Sequence, residues 1–117
     1  LLPLWPSVPS VVNPLRAIAY AALDALRPGG FGRVAPTGEA VRLTAAFRRL
    51  TWNAAEAAAF RAVTPAGGVV LDVGAHAGAY SLLFGRWVGP AGRVFAFEPS
   101  PRVAAALARH GRLNGLD

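Results

Sequence analysis

The sequence predicts an α/β fold with parallel strands, and two short apolar segments support this prediction. The first, Val69–Val73, is almost continuously aliphatic and is followed by a glycine-containing turn and a helical pattern. The second, Arg93–Phe97, comes after that helical pattern and leads directly into Glu98. A strand, a helix and a second strand in this order are typical of a right-handed parallel crossover between buried strands.

Length and composition limit the class of protein. The chain has 117 residues, about one small domain, whereas a complete sheet of this class usually needs about 200 residues or more. We therefore interpret it as the N-terminal part of a larger fold that stops where a third strand should begin. The absence of Cys excludes disulfides, thiolate metal sites and a cysteine nucleophile, and no residue pattern calls for a metal.

The charge does not point to nucleic acid. The net charge is +6 and all 12 basic residues are Arg, which we attribute to a coding bias. They are spread from Arg16 to Arg112, and only Arg48 and Arg49 are adjacent. Because no basic cluster is interleaved with aromatic residues, we expect no nucleic-acid partner.

The first fifty residues predict a helical lead-in. Residues 1–12 are apolar and Pro-rich but match neither a signal peptide nor a membrane span. Asn13 and Pro14 predict a helix start, and the sequence Pro28-Gly29-Gly30 predicts its end. We expect this helix to pack at the domain edge, with a membrane-surface helix as the alternative. Its expected inner face comprises Leu15, Ile18, Ala19, Ala22 and Leu26.

The sequence assigns the elements between residue 31 and the first apolar strand with unequal clarity. Residues 31–38 predict a loop, and residues 41–50 fit a strand or a helix equally well. Asn53 and Glu56 have the spacing of a capping box, which predicts a helix to about Val63.

Two further helices follow the predicted strands. Residues 77–88 carry an apolar stripe expected to face the sheet: Tyr80, Leu83, Phe84, Trp87 and Val88. Ser100 and Pro101 predict the start of another helix. On that helix we expect Val103 and Leu107 to point inward and Arg102, Arg109 and Arg112 outward. Trp52 and Phe60 are expected to anchor the core.

The turn after the first strand has the features of a nucleotide cradle. Gly74 lies where the chain must turn sharply, and Gly78 lies at the helix start, whose N–H groups favour an anionic group. Glu98, 26 positions after Asp72, is placed to accept hydrogen bonds from the two hydroxyls of a ribose. A dinucleotide site would require a second glycine where His76 stands, because a side chain there crowds the pyrophosphate.

These motifs together resemble the FkbM family of class I methyltransferases, which use S-adenosylmethionine. The resemblance covers about residues 53–117, and the family usually has Asn at the position of His76. The matching segments are Asp72-Val73-Gly74-Ala75-His76-Ala77-Gly78-Ala79-Tyr80-Ser81, Gly89-Pro90-Ala91-Gly92-Arg93-Val94, Phe97-Glu98-Pro99-Ser100-Pro101 and Leu113-Asn114-Gly115-Leu116-Asp117.

The resemblance implies a Rossmann-like class I methyltransferase fold, of which this chain is the N-terminal part only. Residues 1–52 would form the lead-in, and residues 53–117 would begin the domain that binds S-adenosyl-L-methionine. It implies O-methyl transfer to a small-molecule, sugar or lipid acceptor, with no catalytic residue identifiable here. The expected cofactor-binding residues are Asp72, Gly74, Ala75, His76, Gly78, Tyr80, Ser81, Glu98 and Pro99.

Several of these residues have a second interpretation. Asp72 could brace the glycine turn, although the resemblance favours a place beside the amino-acid end of the cofactor. Ser81 donates either to the cofactor carboxylate or to its own helix. Tyr80 contacts the cofactor or packs in the core. His76 is a polar loop residue or a general base, and Glu98 needs a ligand or solvent because burial of an unpartnered carboxylate is costly.

Two other functions stay open: a nicotinamide-dependent Rossmann oxidoreductase, and a methyltransferase-like domain without catalysis. The expected location is the cytoplasm. With two motif strands, exposed edges and a small core, the chain alone is expected to bind cofactor poorly.

Overall fold

The computed structural model describes residues 13–116, so the expectations for residues 1–12 and for Asp117 lie outside the described residues. Within that range the chain is an α/β fold. Its elements are α1 (Pro14–Leu26), β1 (Phe31–Val34), β2 (Ala40–Leu43), a 3₁₀ helix (Ala45–Phe47), α2 (Ala54–Val63), β3 (Val69–Val73), α3 (Ala79–Val88), β4 (Arg93–Phe97) and α4 (Pro101–Leu113).

The two predicted parallel strands are confirmed. β3 and β4 pair in parallel, with Val69 opposite Arg93 and Val73 opposite Phe97. The pairing is extended before the strands begin, because the Arg93 N–H donates to the Gly68 carbonyl over 2.9 Å. The register brings the carboxyl ends of both strands to the same edge.

The buried core lies mainly between α3 and β2 of the hairpin, with Val70 of β3 and Val94 of β4 packed against it. Leu82 and Leu83 of α3 pack with Val41 and Leu43 of β2, and all four are at most 2% exposed. Trp52 and Phe60 pack against this cluster, as expected. The apolar stripe of α3 is likewise confirmed, since Leu83, Phe84, Trp87 and Val88 are buried and Tyr80 is half-buried.

Residues 31–38 do not form the expected loop. Residues Phe31–Val34 form β1, which pairs antiparallel with β2, Phe31 opposite Leu43. The prediction was wrong because β1 includes Gly32 and Arg33, which hide the alternation of a short strand. The ambiguity over residues 41–50 has a simple cause: β2 ends at Leu43 and the 3₁₀ helix begins two residues later.

The hairpin is anchored to α3 through Glu39. Its carboxylate accepts hydrogen bonds from the Trp87 indole N–H over 2.7 Å and from the Thr37 hydroxyl. Burial alone would raise the pKa of Glu39, but these two hydrogen bonds, a backbone hydrogen bond and the charge of Arg61 together lower it. The ionised carboxylate therefore joins the hairpin turn to the core helix.

Helix α1 begins as predicted but does not pack as predicted. The Asn13 side chain accepts the Leu15 N–H, and Pro14 occupies the first helical position. None of the residues of α1 is buried, and Leu15, Ile18 and Leu26 are 67–79% exposed, so the expected inner face is wrong. Apolar spacing shows that a face exists but not that a partner covers it.

A polar residue attaches α1 instead. The Asp24 carboxylate accepts the Ala45 N–H over 2.7 Å and forms an ion pair with Arg109 at 3.3 Å. Arg102, Arg109 and Arg112 are all exposed, as expected, and Arg109 in addition forms this ion pair. No helix within residues 13–116 combines the length and apolar character needed to cross a bilayer.

One face of the parallel pair is open to solvent. Its five apolar side chains are 47–81% exposed: Val69, Leu71, Val73, Phe95 and Phe97. Because parallel strands are normally covered on both faces, an exposed apolar surface of this kind is unusual.

The open face predicts strong binding of an apolar dye. We expect the chain to enhance the fluorescence of anilinonaphthalene sulfonate, and the paired change Leu71→Thr and Val73→Thr to remove most of that enhancement. Val34→Thr is the matched control, because Val34 is 68% exposed but lies on β1. Equal losses from both variants would contradict the assignment of the dye to this face.

Candidate functional site

The loop between β3 and α3 has an unusual backbone. Gly74 and Gly78 have φ angles of +82° and +90°, and His76 between them has φ +52°. Glycine adopts this left-handed region freely, and Asn, Asp and His are the other residue types enriched there. The predicted need for glycine at 74 and 78 is confirmed. The same conformation accounts for a residue such as His, or Asn in the family that the motif resembles, at position 76.

The loop is held against the end of β4. The N–H groups of Gly74 and Ala75 both donate to the Phe97 carbonyl, over 2.9 and 3.0 Å. Gly78 is the N-cap of α3, so this helix begins at Ala79 instead of Ala77. Because glycine has no side chain, no capping side chain covers the first turn of α3. That turn is the part of the site suited to an anionic group.

Glu98 lies at the carboxyl end of β4, where the loop and the next helix meet. Its Oε2 accepts the His76 N–H over 3.0 Å, and its Oε1 accepts the Ser100 N–H over 2.8 Å. From the sequence we expected a ligand or solvent as the partner of this carboxylate, and these two backbone donors were not predicted. A carboxylate offers about four acceptor positions, so each oxygen retains capacity for a further donor. The adjacent Pro99 is exposed.

Asp72 and Ser81 form a direct contact. The Ser81 hydroxyl donates to Oδ2 of Asp72 over 2.5 Å, and Ser81 is buried. Neither expected partner of Ser81, its own helix or a ligand, accounts for this bond. The hydrogen bond ties the last residues of β3 to the first turn of α3. The Asp72 carboxylate is thereby oriented beside the N-terminus of the helix.

Tyr80 points toward α2. Its hydroxyl donates to Oε2 of Glu56 over 2.5 Å, and its ring meets Phe60 edge-on at 5.1 Å. Burial raises the pKa of Tyr80, and the hydrogen bond to Glu56 raises it further. These contacts favour the core-packing interpretation of Tyr80.

The predicted capping box is half confirmed. Asn53 accepts the Glu56 N–H, as expected, but the Glu56 carboxylate reaches Tyr80 rather than the cap backbone. Alongside it, the Trp52 indole N–H donates to the Ala79 carbonyl over 2.8 Å. The start of α2 therefore braces the start of α3.

His110 is the polar residue near the loop that the sequence analysis missed. It is fully buried on α4, and its Nδ1 lies 2.7 Å from the carbonyl of Ala77 in the loop. Its Nε2 accepts the Thr44 N–H over 3.1 Å and lies 2.9 Å from the Thr44 hydroxyl. Helical spacing places His110 on the same face as Val103 and Leu107, and this pattern could have identified it as an inward residue.

A single aromatic ring links the two histidines. Phe47, from the 3₁₀ helix, meets His110 edge-on at 5.4 Å and His76 edge-on at 5.8 Å. The lead-in therefore packs against the loop through Phe47, whereas β4 holds the loop through the Phe97 carbonyl.

Asn114 explains one of the sequence motifs. Its Oδ1 accepts the Arg42 N–H and its Nδ2 donates to the Arg42 carbonyl, both over 2.8 Å. A second donation from Nδ2 reaches the His110 carbonyl over 2.7 Å. The side chain thus pairs with the backbone of β2 much as a neighbouring strand would. The Asn114 side chain therefore joins α4 to the hairpin.

Most of the predicted site residues converge at one edge of the parallel pair. Those that meet there are Asp72, Gly74, Ala75, His76, Gly78, Ser81 and Glu98. Tyr80 is directed away toward α2. Comparison with family models, curated proteins and solved structures finds no match to this chain.

Proposed function

We propose that the loop between β3 and α3, together with Glu98, binds S-adenosyl-L-methionine. The protein would then be a methyltransferase that transfers a methyl group to a hydroxyl of a small-molecule, sugar or lipid acceptor. The fold would be Rossmann-like, with residues 1–52 as its lead-in and residues 53–117 as the beginning of its cofactor domain. The observation that carries the proposal is the contact between Glu98 and the N–H of His76.

That contact supports a ribose site for a geometric reason. A carboxylate at the end of one parallel strand, beside the glycine loop after the neighbouring strand, is where nucleoside ligands bind in such sheets. Glu98 is fixed by two backbone N–H groups, so it presents its remaining lone pairs without further ordering. Two neighbouring ribose hydroxyls would match those acceptors.

The rest of the loop would receive the amino-acid end of the cofactor. The first turn of α3 favours the carboxylate, and Asp72 would lie beside the amino group. The cofactor supplies a methyl group on a positively charged sulfur, and the protein contributes positioning of that group against the acceptor oxygen.

A nicotinamide dinucleotide is the second candidate, since Glu98 would also suit its ribose. His76 argues against it, because its side chain stands where a dinucleotide loop needs glycine beside the pyrophosphate. A methyltransferase-like domain without catalysis would keep the same cofactor contacts and lack transfer.

Calorimetric titration of the full-length natural protein with S-adenosylhomocysteine tests the proposal. We expect saturable binding that weakens by about 1–3 kcal/mol in Glu98→Ala, because ligand hydroxyls lose their acceptor. Glu39→Gln is the control, since Glu39 contacts Trp87 on the hairpin side of α3. A folded wild-type protein that does not bind would contradict the proposal, and nicotinamide dinucleotides would be titrated next.

A further inference from the structure

We propose that His110 is a positioning residue for the glycine loop and that its protonation weakens cofactor binding as the pH falls. The inference rests on the proposed cofactor site. His110 does not itself need to touch the cofactor. It would act through the backbone of Ala77, which it holds in the loop.

The hydrogen bonds define the protonation state of His110. The Thr44 N–H can only donate, so Nε2 must be the acceptor and the ring must be neutral there. The proton then resides on Nδ1, which donates to the Ala77 carbonyl over 2.7 Å. One neutral ring therefore connects the end of β2, helix α4 and the loop.

The loop is held at two places, and His110 provides the second. Its first half is bonded to Phe97 and Glu98 at the end of β4. Ala77 lies in the second half, between two residues with left-handed backbone, His76 and Gly78. A shift of the Ala77 peptide would therefore move the His76 N–H on Glu98 and the first turn of α3 together.

Protonation would disturb this arrangement at one atom. A proton on Nε2 removes the acceptor of the buried Thr44 N–H, although the Thr44 hydroxyl can still accept from the ring. Burial disfavours the charged ring and lowers the pKa of His110 below its ordinary value. The neutral form consequently persists to a lower pH than in an ordinary histidine, and the arrangement is lost as the pH falls through the lowered pKa.

The charged groups around His110 give mixed contributions. Burial has the largest effect and lowers the pKa of His110, whereas the hydrogen bond to the Ala77 carbonyl raises it. Arg109, on the same helix, lowers the pKa, and Asp24 from α1 raises it. Asp24 and Arg109 are themselves paired at 3.3 Å. From the loop the nearest titratable side chain is His76, on the opposite side of Phe47. From β2 the charged residue is Arg42, whose guanidinium donates to the Gly29 carbonyl.

The test measures S-adenosylhomocysteine affinity between pH 7.5 and pH 4.5 in the full-length natural protein. Below the pKa of His110, we expect the dissociation constant of the wild type to rise by about tenfold for each unit that the pH falls. His110→Gln and His110→Asn retain an amide donor and acceptor without titrating, so their affinities should be independent of pH. His76→Asn is the matched control and should keep the wild-type dependence, because His76 is exposed.

A second measurement needs no ligand. In the wild type and His76→Asn, the amide NMR shifts of Ala77 and Gly78 should follow the His110 ring titration. Shifts that ignore it would overturn the inference, as would pH-independent affinity in a protein that binds. Titrating amides without binding at any pH would instead contradict the proposed function and leave the loop coupling supported.

Discussion

Replacing Gly92 by alanine is expected to lower the free energy of unfolding by about 3 kcal/mol, the upper part of the usual range for overpacking. A Cβ at this position would lie 2.3 Å from the Cβ of Val88 and 2.7 Å from the Gly68 carbonyl oxygen. Neither atom is the far end of a flexible side chain, so α3 or the strand backbone would have to move. Chemical denaturation monitored by circular dichroism measures the effect.

Gly32→Ala is the matched control for this substitution. Gly32 lies in β1, and a Cβ there would meet no heavy atom within 4 Å. We expect its free energy of unfolding to stay within about 0.5 kcal/mol of the wild type. Similar losses of unfolding free energy in both variants would mean that the effect comes from replacing any glycine by alanine and not from the contact with Val88.

Gly92 also shows how far local sequence signals reach. The motif Gly89-Pro90-Ala91-Gly92 is typical of the end of a helix, and it lies between the last residue of α3, Val88, and the first of β4, Arg93. The reason that glycine is needed at 92 depends on Val88 and Gly68 together, which only the folded chain brings into contact. The two strands and the helices after residue 53 were predictable because each has its own apolar period and capping residues.

The structure of the lead-in was less predictable, because it depends on contacts between residues that are far apart in the sequence. β1 has a weak pattern of its own and is defined by its pairing with β2 and by Glu39 on Trp87. The stripe of α1 has the right spacing for a buried face, but the contact that holds the helix is the Asp24 carboxylate on the Ala45 N–H. Long-range bonds from side chain to backbone leave no periodic signal in the sequence.

The candidate site was likewise predictable only in part. The strand ends, the glycines of the loop and the position of Glu98 followed from motif spacing, and the structure brings them together. The His76 N–H on Glu98 and the Asp72 carboxylate on Ser81 did not follow from motif spacing, because only the folded chain brings these groups together. His110 was missed because only the apolar residues of its helix were considered as inward-facing.

The second large effect is expected at Asn114. Asn114→Ala should lower the free energy of unfolding by about 2–4 kcal/mol, because the backbone N–H and carbonyl of Arg42 both lose their partner. The His110 carbonyl also loses one of its two hydrogen bonds and keeps the one from the Asn114 N–H. Asn53→Ala is the control, since Asn53 is exposed and its side chain caps α2, a contact worth about 1 kcal/mol. Denaturant midpoints of the two variants, analysed with a common slope, give the comparison.

Asn114→Asp separates the hydrogen bonds from the volume of the side chain. The carboxylate can accept the Arg42 N–H but cannot donate to the carbonyls of Arg42 and His110, which it would instead repel. This variant should therefore be about as unstable as Asn114→Ala at neutral pH, despite its nearly identical shape. A stability close to wild type would mean that Asn114 fills space, and that the hairpin is held to α4 by the buried apolar contacts of β2 alone.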